Sequence, residues 1–299
     1  MRRIGFFYAI AAPVLFGVGG TFAQFLFQQR GISIDWLVTM RLLCAGSVLL
    51  LISALQGRAI LAIWRTDAVP IILFGLIGMM PVQYTFMAAI DVSNSATATV
   101  LQFTAPAMVA LWLAAVQRRA PDRRDLVAIA LAMLGVFLLV THGRFGTLSI
   151  STLALFWGLA SAVAAAFNSI QPARLLRAHG AATVAGWGML VGGLALAPFH
   201  PPWQVAGRWD AAAYVLFAFI ILPGTLVAFY CALHALRLIG PQKSSLLNCV
   251  EPLAATLLAV SWLRISWSAM DWLGMLCILA TVALLAREQT EATQAEKVT

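Results

Sequence analysis

Apolar residues run in long, nearly unbroken stretches along this chain, separated by short polar clusters. Ten stretches can be marked, at about 4–28, 34–56, 68–90, 95–117, 125–141, 150–172, 182–199, 211–236, 243–264 and 269–286. A helix that crosses a bilayer needs roughly 20 mostly apolar residues, so each stretch is long enough to cross or nearly cross. The cuts fall at Gln28-Gln29-Arg30-Gly31, Gly57-Arg58, His142-Gly143-Arg144, His200-Pro201-Pro202 and Gly240-Pro241. Strand-period alternation is missing, which excludes a transmembrane β-barrel. The pattern predicts an all-α polytopic membrane protein with ten transmembrane helices. Its tail beyond Arg287 is polar and is expected to begin as helix and then fray. No loop is long enough to hold a soluble domain.

Composition agrees. Of 299 residues, 62% are hydrophobic and 10% charged, against about half and about a quarter in soluble domains. The net charge of +8 is not a nucleic-acid footprint, because its distribution follows the spans. Of 19 Lys and Arg, 14 fall on the side that holds both termini, four (Arg30, Arg144, Arg208, Arg264) on the other, and Arg41 within a span. Basic residues collect in cytoplasmic loops, so both termini are expected in the cytoplasm. Cys44, Cys231, Cys249 and Cys277 lie inside apolar runs without metal-ligand spacing and read as packing residues. Neither a metal nor a cofactor is expected. The apolar run Ile4 to Phe27 is too long for a signal peptide and lacks a cleavage site, so it reads as a retained first helix.

Ten helices divide into five and five, and an odd number per half inverts the second half. Sliding the chain on itself by 146 residues puts Tyr84 on Tyr230, Pro106 on Pro252, Arg118 on Arg264 and Asp125 on Asp271. Ser95, Thr99, Gln102 and Pro106 fall on Pro241, Ser245, Asn248 and Pro252, at helical spacing in both copies. The halves are 1–145 and 146–287, with 288–299 as a cytoplasmic tail. An inverted repeat with polar or broken helices in matching positions points to a secondary transporter.

These residues resemble a known family. Tyr84-Thr-Phe-Met-Ala-Ala-Ile, Ser95 to Pro106 and Gly135-Val-Phe-Leu-Leu-Val in one half, with Tyr230-Cys-Ala-Leu-His-Ala-Leu, Ser244 to Pro252 and Trp272-Leu-Gly in the other, are similar to EamA-type transporters of the drug/metabolite transporter superfamily. Arg41, after Gly17 to Gly20, sits where that family carries an arginine in its second helix. The resemblance covers essentially the whole chain. It implies two inverted five-helix repeats around a central cavity, and alternating-access movement of small metabolites. Similar members include exporters of amino acids, some aromatic. This chain departs from the family's Gly-Glu pair at the ends of the fourth and ninth helices, where it reads Gln117-Arg118 and Leu263-Arg264. A role tied to that glutamate does not carry over.

Of eleven acidic residues, only Glu251 falls well inside a span. A carboxylate in hydrocarbon must be paired, protonated or facing water. Ser244, Asn248 and Glu251 recur at i, i+4, i+7, on one face of a continuous helix. Either they line a substrate or proton site, or Glu251 ties neighbouring helices together. Arg41, roughly 10 Å below the outer end of its helix, either meets an anionic substrate group or is structural, and the family marker favours structure.

Tyr84, Tyr230, His234, Trp157 and Phe103 are candidates for an aromatic lining, though aromatics on helices more often pack. Trp36, Trp203, Trp209, Trp267 and Trp272 read as interfacial anchors. Pro81, Pro106, Pro223 and Pro252 are hinge candidates, since proline removes a backbone donor. The spacing Gly188 to Gly192 allows close helix approach, inside the bundle or between protomers of a homodimer. Gln102, Asn248 and Glu251 are expected to face one central cavity, with Tyr84 and Tyr230 beside it.

Competing functions lack their signatures. An intramembrane enzyme needs a catalytic constellation near the interface, a channel needs charged rings or filter backbone, and direct ATP drive needs a P-loop. Another metabolite class, such as sugars or nucleotide derivatives, stays open beside amino acids. Protons as coupling ion would use Glu251; facilitated diffusion would use no titratable group.

Overall fold

The computed structural model describes residues 2–117, 123–143 and 149–298. Arg118, Arg119 and Arg144, which enter the charge count above, lie outside them. Among the described residues every regular element is a helix. The segments are α1 (Arg2–Arg30), α2 (Ile34–Leu55), α3 (Ala62–Thr66), α4 (Ala68–Leu73), α5 (Met80–Val92), α6 (Ser95–Gln102), α7 (Ala105–Gln117) and α8 (Arg123–Thr141). There follow α9 (Thr152–Ile170), α10 (Ala173–His179), α11 (Ala181–Leu196), α12 (Ala211–Ile221), α13 (Ala228–Leu247), α14 (Val250–Trp262) and α15 (Ala269–Val298). Two π-helical turns, Phe74–Met79 and Leu222–Val227, join α4 to α5 and α12 to α13.

Among the described residues six helices are long and apolar enough to cross a membrane. A seventh candidate is the pair α10 and α11, bent by 120°. The apolar parts of α8, α14 and α15 are shorter, at 10–17 residues each. The ninth stretch, expected as one helix over 243–264, is interrupted at 248–249, and Gly240 before it adopts φ 82°. The polar tail continues as helix to Val298.

Breaks fall where the sequence places proline. Pro81 lies just after the first π-turn and Pro223 within the second. Pro106 and Pro252 follow the non-helical turns at 103–104 and 248–249. Proline has no N–H to give the carbonyl four residues back, so the ladder must reroute locally, and a π-turn or a tighter turn does this. In the second π-turn, Thr225 Oγ1 donates to the Ile220 carbonyl five residues back, at 2.7 Å.

The helices pack in long pairs, α2 along α11, α8 along α15 and α5 along α9, with α1 against α13 and α14. Small residues permit these approaches. A Cβ on Gly46 would lie 2.8 Å from the Leu190 backbone nitrogen, and one on Gly17 2.7 Å from the Glu251 carbonyl oxygen. Gly188 and Gly192 face Phe74 and Met80, so the small-residue spacing serves packing within the bundle. Large apolar side chains point outward, among them Leu55, Trp112, Met133, Phe156 and Val215, as expected for a molecule whose solvent is lipid.

Loops meet at two ends. At the end that holds both termini, Asp67 binds Arg174 and His179. At the other, Arg30 pairs with Asp210 and His142 with Asp271, each at 2.9 Å. Trp36, expected as an interfacial anchor, is buried, and its indole donates to the Pro202 carbonyl at 2.9 Å. The loop after α11 folds back over α2 and takes that ring out of lipid.

Candidate functional site

Arg41 is 8% exposed, in the third turn of α2. Its Nε donates to Thr225 Oγ1 at 2.9 Å. That hydroxyl is available on this face because the π-turn shifts the residues after Pro223 by one position relative to a regular helix. Glu251, in the first turn of α14, lies close enough to Arg41 to interact with it electrostatically inside the bundle. A charged group here is costly unless compensated; the Thr225 hydroxyl supplies a direct partner.

The neighbouring interior is polar too. Thr21 Oγ1 lies 3.0 Å from Ser95 Oγ and donates to the Gly17 and Ala255 carbonyls. Further along α1, Gln24 Oε1 accepts from the Ser95 backbone N–H at 2.9 Å, and Gln24 Nε2 donates to Gln28 Oε1. Gln28 Nε2 in turn donates to the carbonyls of Ile90, Asp91 and Ser93. This ladder satisfies the end of α5 and the start of α6, backbone groups that lipid would leave unpaired. Sequence reading passed over Thr21, Gln24, Gln28 and Thr225. Thr21, Gln24 and Gln28 form a polar stripe on one face of the apolar α1, and their cross-bundle partners, like Arg41 for Thr225, lie far away in sequence.

The other expected residues do not gather at one point. Asn248 is exposed, whereas Glu251 is half-buried. The shared face is interrupted because the chain turns tightly there, with Glu251 N–H donating to the Asn248 carbonyl at 2.9 Å. Gln102 is half-buried at the end of α6, beside the matching break. Tyr84 meets Trp157 edge-on with ring centroids 6.0 Å apart, and interacts electrostatically with Asp35. The Tyr230 and His234 rings pack with centroids 4.0 Å apart and planes tilted by 33°, and both lie against Tyr8, forming a separate aromatic group. His234 Nδ1 lies 3.0 Å from the Tyr230 carbonyl oxygen.

Two cavities flank this interior. One of about 160 Å³ lies between the halves, lined by Phe74 and Met79 of the first π-turn, Asn168, Leu176, Ala185 and Phe229 among others. Asn168 Oδ1 is buried there without a hydrogen-bond partner. Another of about 320 Å³ opens at the end away from the termini, beside Ser33, Trp36, His200 and Gln204. Neither is lined by Gln102, Asn248 or Glu251. Among the described residues no group of three His, Cys, Asp or Glu is placed to hold a metal ion.

Known proteins bear on this arrangement. The chain is 40% identical over 286 residues, 95% of each protein, to the uncharacterized inner membrane transporter YicL of Salmonella typhimurium. A solved crystal structure superimposes with a TM-score of 0.64 over 96% of this chain and 97% of that one, at 18% identity, a likeness of fold alone. The EamA-like transporter family matches residues 3–141 and again 152–287. With nearly its whole length matched in this way, the chain belongs to the EamA-like transporter family.

Proposed function

We propose that this protein is a secondary transporter of the inner membrane that moves small metabolites, amino acids as the leading class, by alternating access and in the outward direction. In this reading ten helices cross the bilayer as two inverted five-helix repeats, 1–145 and 146–287, with both termini cytoplasmic. The observation that carries it is the buried Arg41 with the half-buried Glu251 within electrostatic range, beside two helix irregularities, the π-turn at Leu222–Val227 and the break at 248–249. Charged residues inside a membrane bundle mark substrate or ion pathways, and irregular backbone at that depth is tolerated where it lines a cavity.

An amino acid carries one carboxylate and one ammonium, and this pair offers one partner to each. Arg41 suits the carboxylate through its planar fork of donors. Glu251 suits the ammonium, and is also the group that a coupling proton would use. Gln102 and Asn248, each four residues before a proline that cannot bond their carbonyls, add polar backbone near the breaks. A thermal-shift screen tests the ligand class, because a ligand stabilises the state that binds it. Amino acids are expected to raise the unfolding midpoint of the purified protein. Stabilisation by sugars or nucleotide derivatives instead would replace the substrate class.

A further inference from the structure

The two ends of the molecule are closed by ion pairs of the same construction. Arg30 is the last residue of α1, and Asp210 immediately precedes α12. They pair at 2.9 Å at the end away from the termini. Arg174 lies in α10, just past α9, and Asp67 immediately precedes α4. They also pair at 2.9 Å, at the end that holds the termini. Each pair therefore joins the finish of the first helix of one half to the start of the third helix of the other. The arginines lie 144 positions apart and the aspartates 143, so the pairs are counterparts under exchange of the halves.

We propose that Arg30–Asp210 and Arg174–Asp67 are two gate latches, one for each face of the membrane, whose relative strength sets which way the protein rests open. This rests on the alternating-access reading above. Each pair crosses between the halves at one end only, so opening that end must break it while the other pair stays closed. The latches are unequal. The Asp67 carboxylate is buried, with Arg174 on one oxygen and His179 Nε2 2.9 Å from the other. Asp210 is half exposed, and its Oδ1 accepts from the Ala213 N–H. The weaker outer pair is supplemented by the Arg208 N–H, which donates to the Arg30 carbonyl at 2.8 Å, and by His200 3.6 Å from Asp35.

Removing either charge should thus move the resting population in opposite directions. The test uses full-length protein with the four cysteines replaced, in lipid nanodiscs. Spin-label pairs at positions 56 and 177 report the termini end, and pairs at 29 and 204 the other. Asp67→Asn should raise the long-distance population at 56/177, and Asp210→Asn that at 29/204. Each open-to-closed ratio should change about two- to fivefold, the range a single exposed or half-buried pair supplies. Asp67→Asn should give the larger shift. Arg174→Gln, altering the 81% exposed partner, reports the same latch if Asp67→Asn folds poorly. Exchanging the charges, Arg30→Asp with Asp210→Arg, should return the outer end to its starting distribution. Folded variants that move neither end, or both ends alike, while the wild type samples two states, overturn the latches alone. A wild type fixed at single distances with no solute flux overturns the transport reading itself, and the latches with it.

Discussion

Arg41 and Thr225 stand 184 residues apart in the chain and 2.9 Å apart in the bundle. One sits on a regular helix, the other on a π-turn, and their bond crosses between the halves at the depth where Glu251 also reaches. Replacing Thr225 with Val keeps the shape and deletes the acceptor. A buried donor left unpaired costs about 1–3 kcal/mol, so Thr225→Val should lower the thermal midpoint measurably. Thr225→Ser should recover most of the loss. Equal midpoints for Val and Ser would show that Arg41 finds another partner.

Glu251→Gln separates charge from packing. If the carboxylate only ties helices together, this variant should melt differently and transport normally. The reverse is expected: a folded protein with flux reduced, or with its pH dependence flattened.

The carboxylates of Asp67 and Asp210 titrate below the ordinary range. For Asp67 the causes are hydrogen bonding to His179 and Thr66, then the charges of Arg174 and His179; for Asp210 they are the Ala213 N–H and then Arg30. A carboxyl whose folded value lies below its unfolded value, about 3.9, contributes stability that is complete above that value. The contribution is lost as pH falls through the lower, folded value. Unfolding midpoints should accordingly hold steady from neutral pH down to about 5 and then drop in acid, as the unfolded-state carboxyls begin to protonate. Asp67→Asn should shrink the drop. An unchanged acid profile in that variant would assign the fall to other carboxyls.

Gly46→Ala would drive a methyl against the Leu190 backbone nitrogen and the Gly186 carbonyl, 2.8 and 2.9 Å away. Both are backbone atoms of α11 that cannot rotate aside. Overpacking of this kind typically costs about 1–3 kcal/mol, and detergent stability should fall accordingly. Wild-type stability would mean that α2 and α11 slide apart freely.

Reporter fusions after Arg118 and after Thr299 should read cytoplasm, and one after Arg208 the outside, following the 14-to-four split of basic residues. A cytoplasmic signal at Arg208 would invert the topology.

Helix positions were legible because apolar length is a local property. The boundaries of α1, α2 and α9 fall within a few residues of the stretches read from the sequence. Pro81, Pro106, Pro223 and Pro252 lie beside or within irregular turns, whereas Pro13 is carried inside the continuous α1, so proline alone does not locate a break. Helix rotation was not legible. Asn248 and Glu251 share a face only on an uninterrupted helix, and one tight turn sends Asn248 outward. Long-range partners were hidden for a similar reason. Nothing local to Gln28 says that its amide will hold the carbonyls of Ile90, Asp91 and Ser93, or that Thr225 will meet Arg41.

The central claim is solute movement through the Arg41–Glu251 interior without nucleotide. Purified wild-type protein in liposomes preloaded with unlabelled amino acids should accumulate the labelled amino acid by exchange, with no ATP present. Glu251→Gln, folded and inserted to the same extent, should exchange it several-fold more slowly. No exchange above protein-free liposomes for any of a panel of amino acids, sugars and nucleotide derivatives, or full exchange by the variant, would contradict the account.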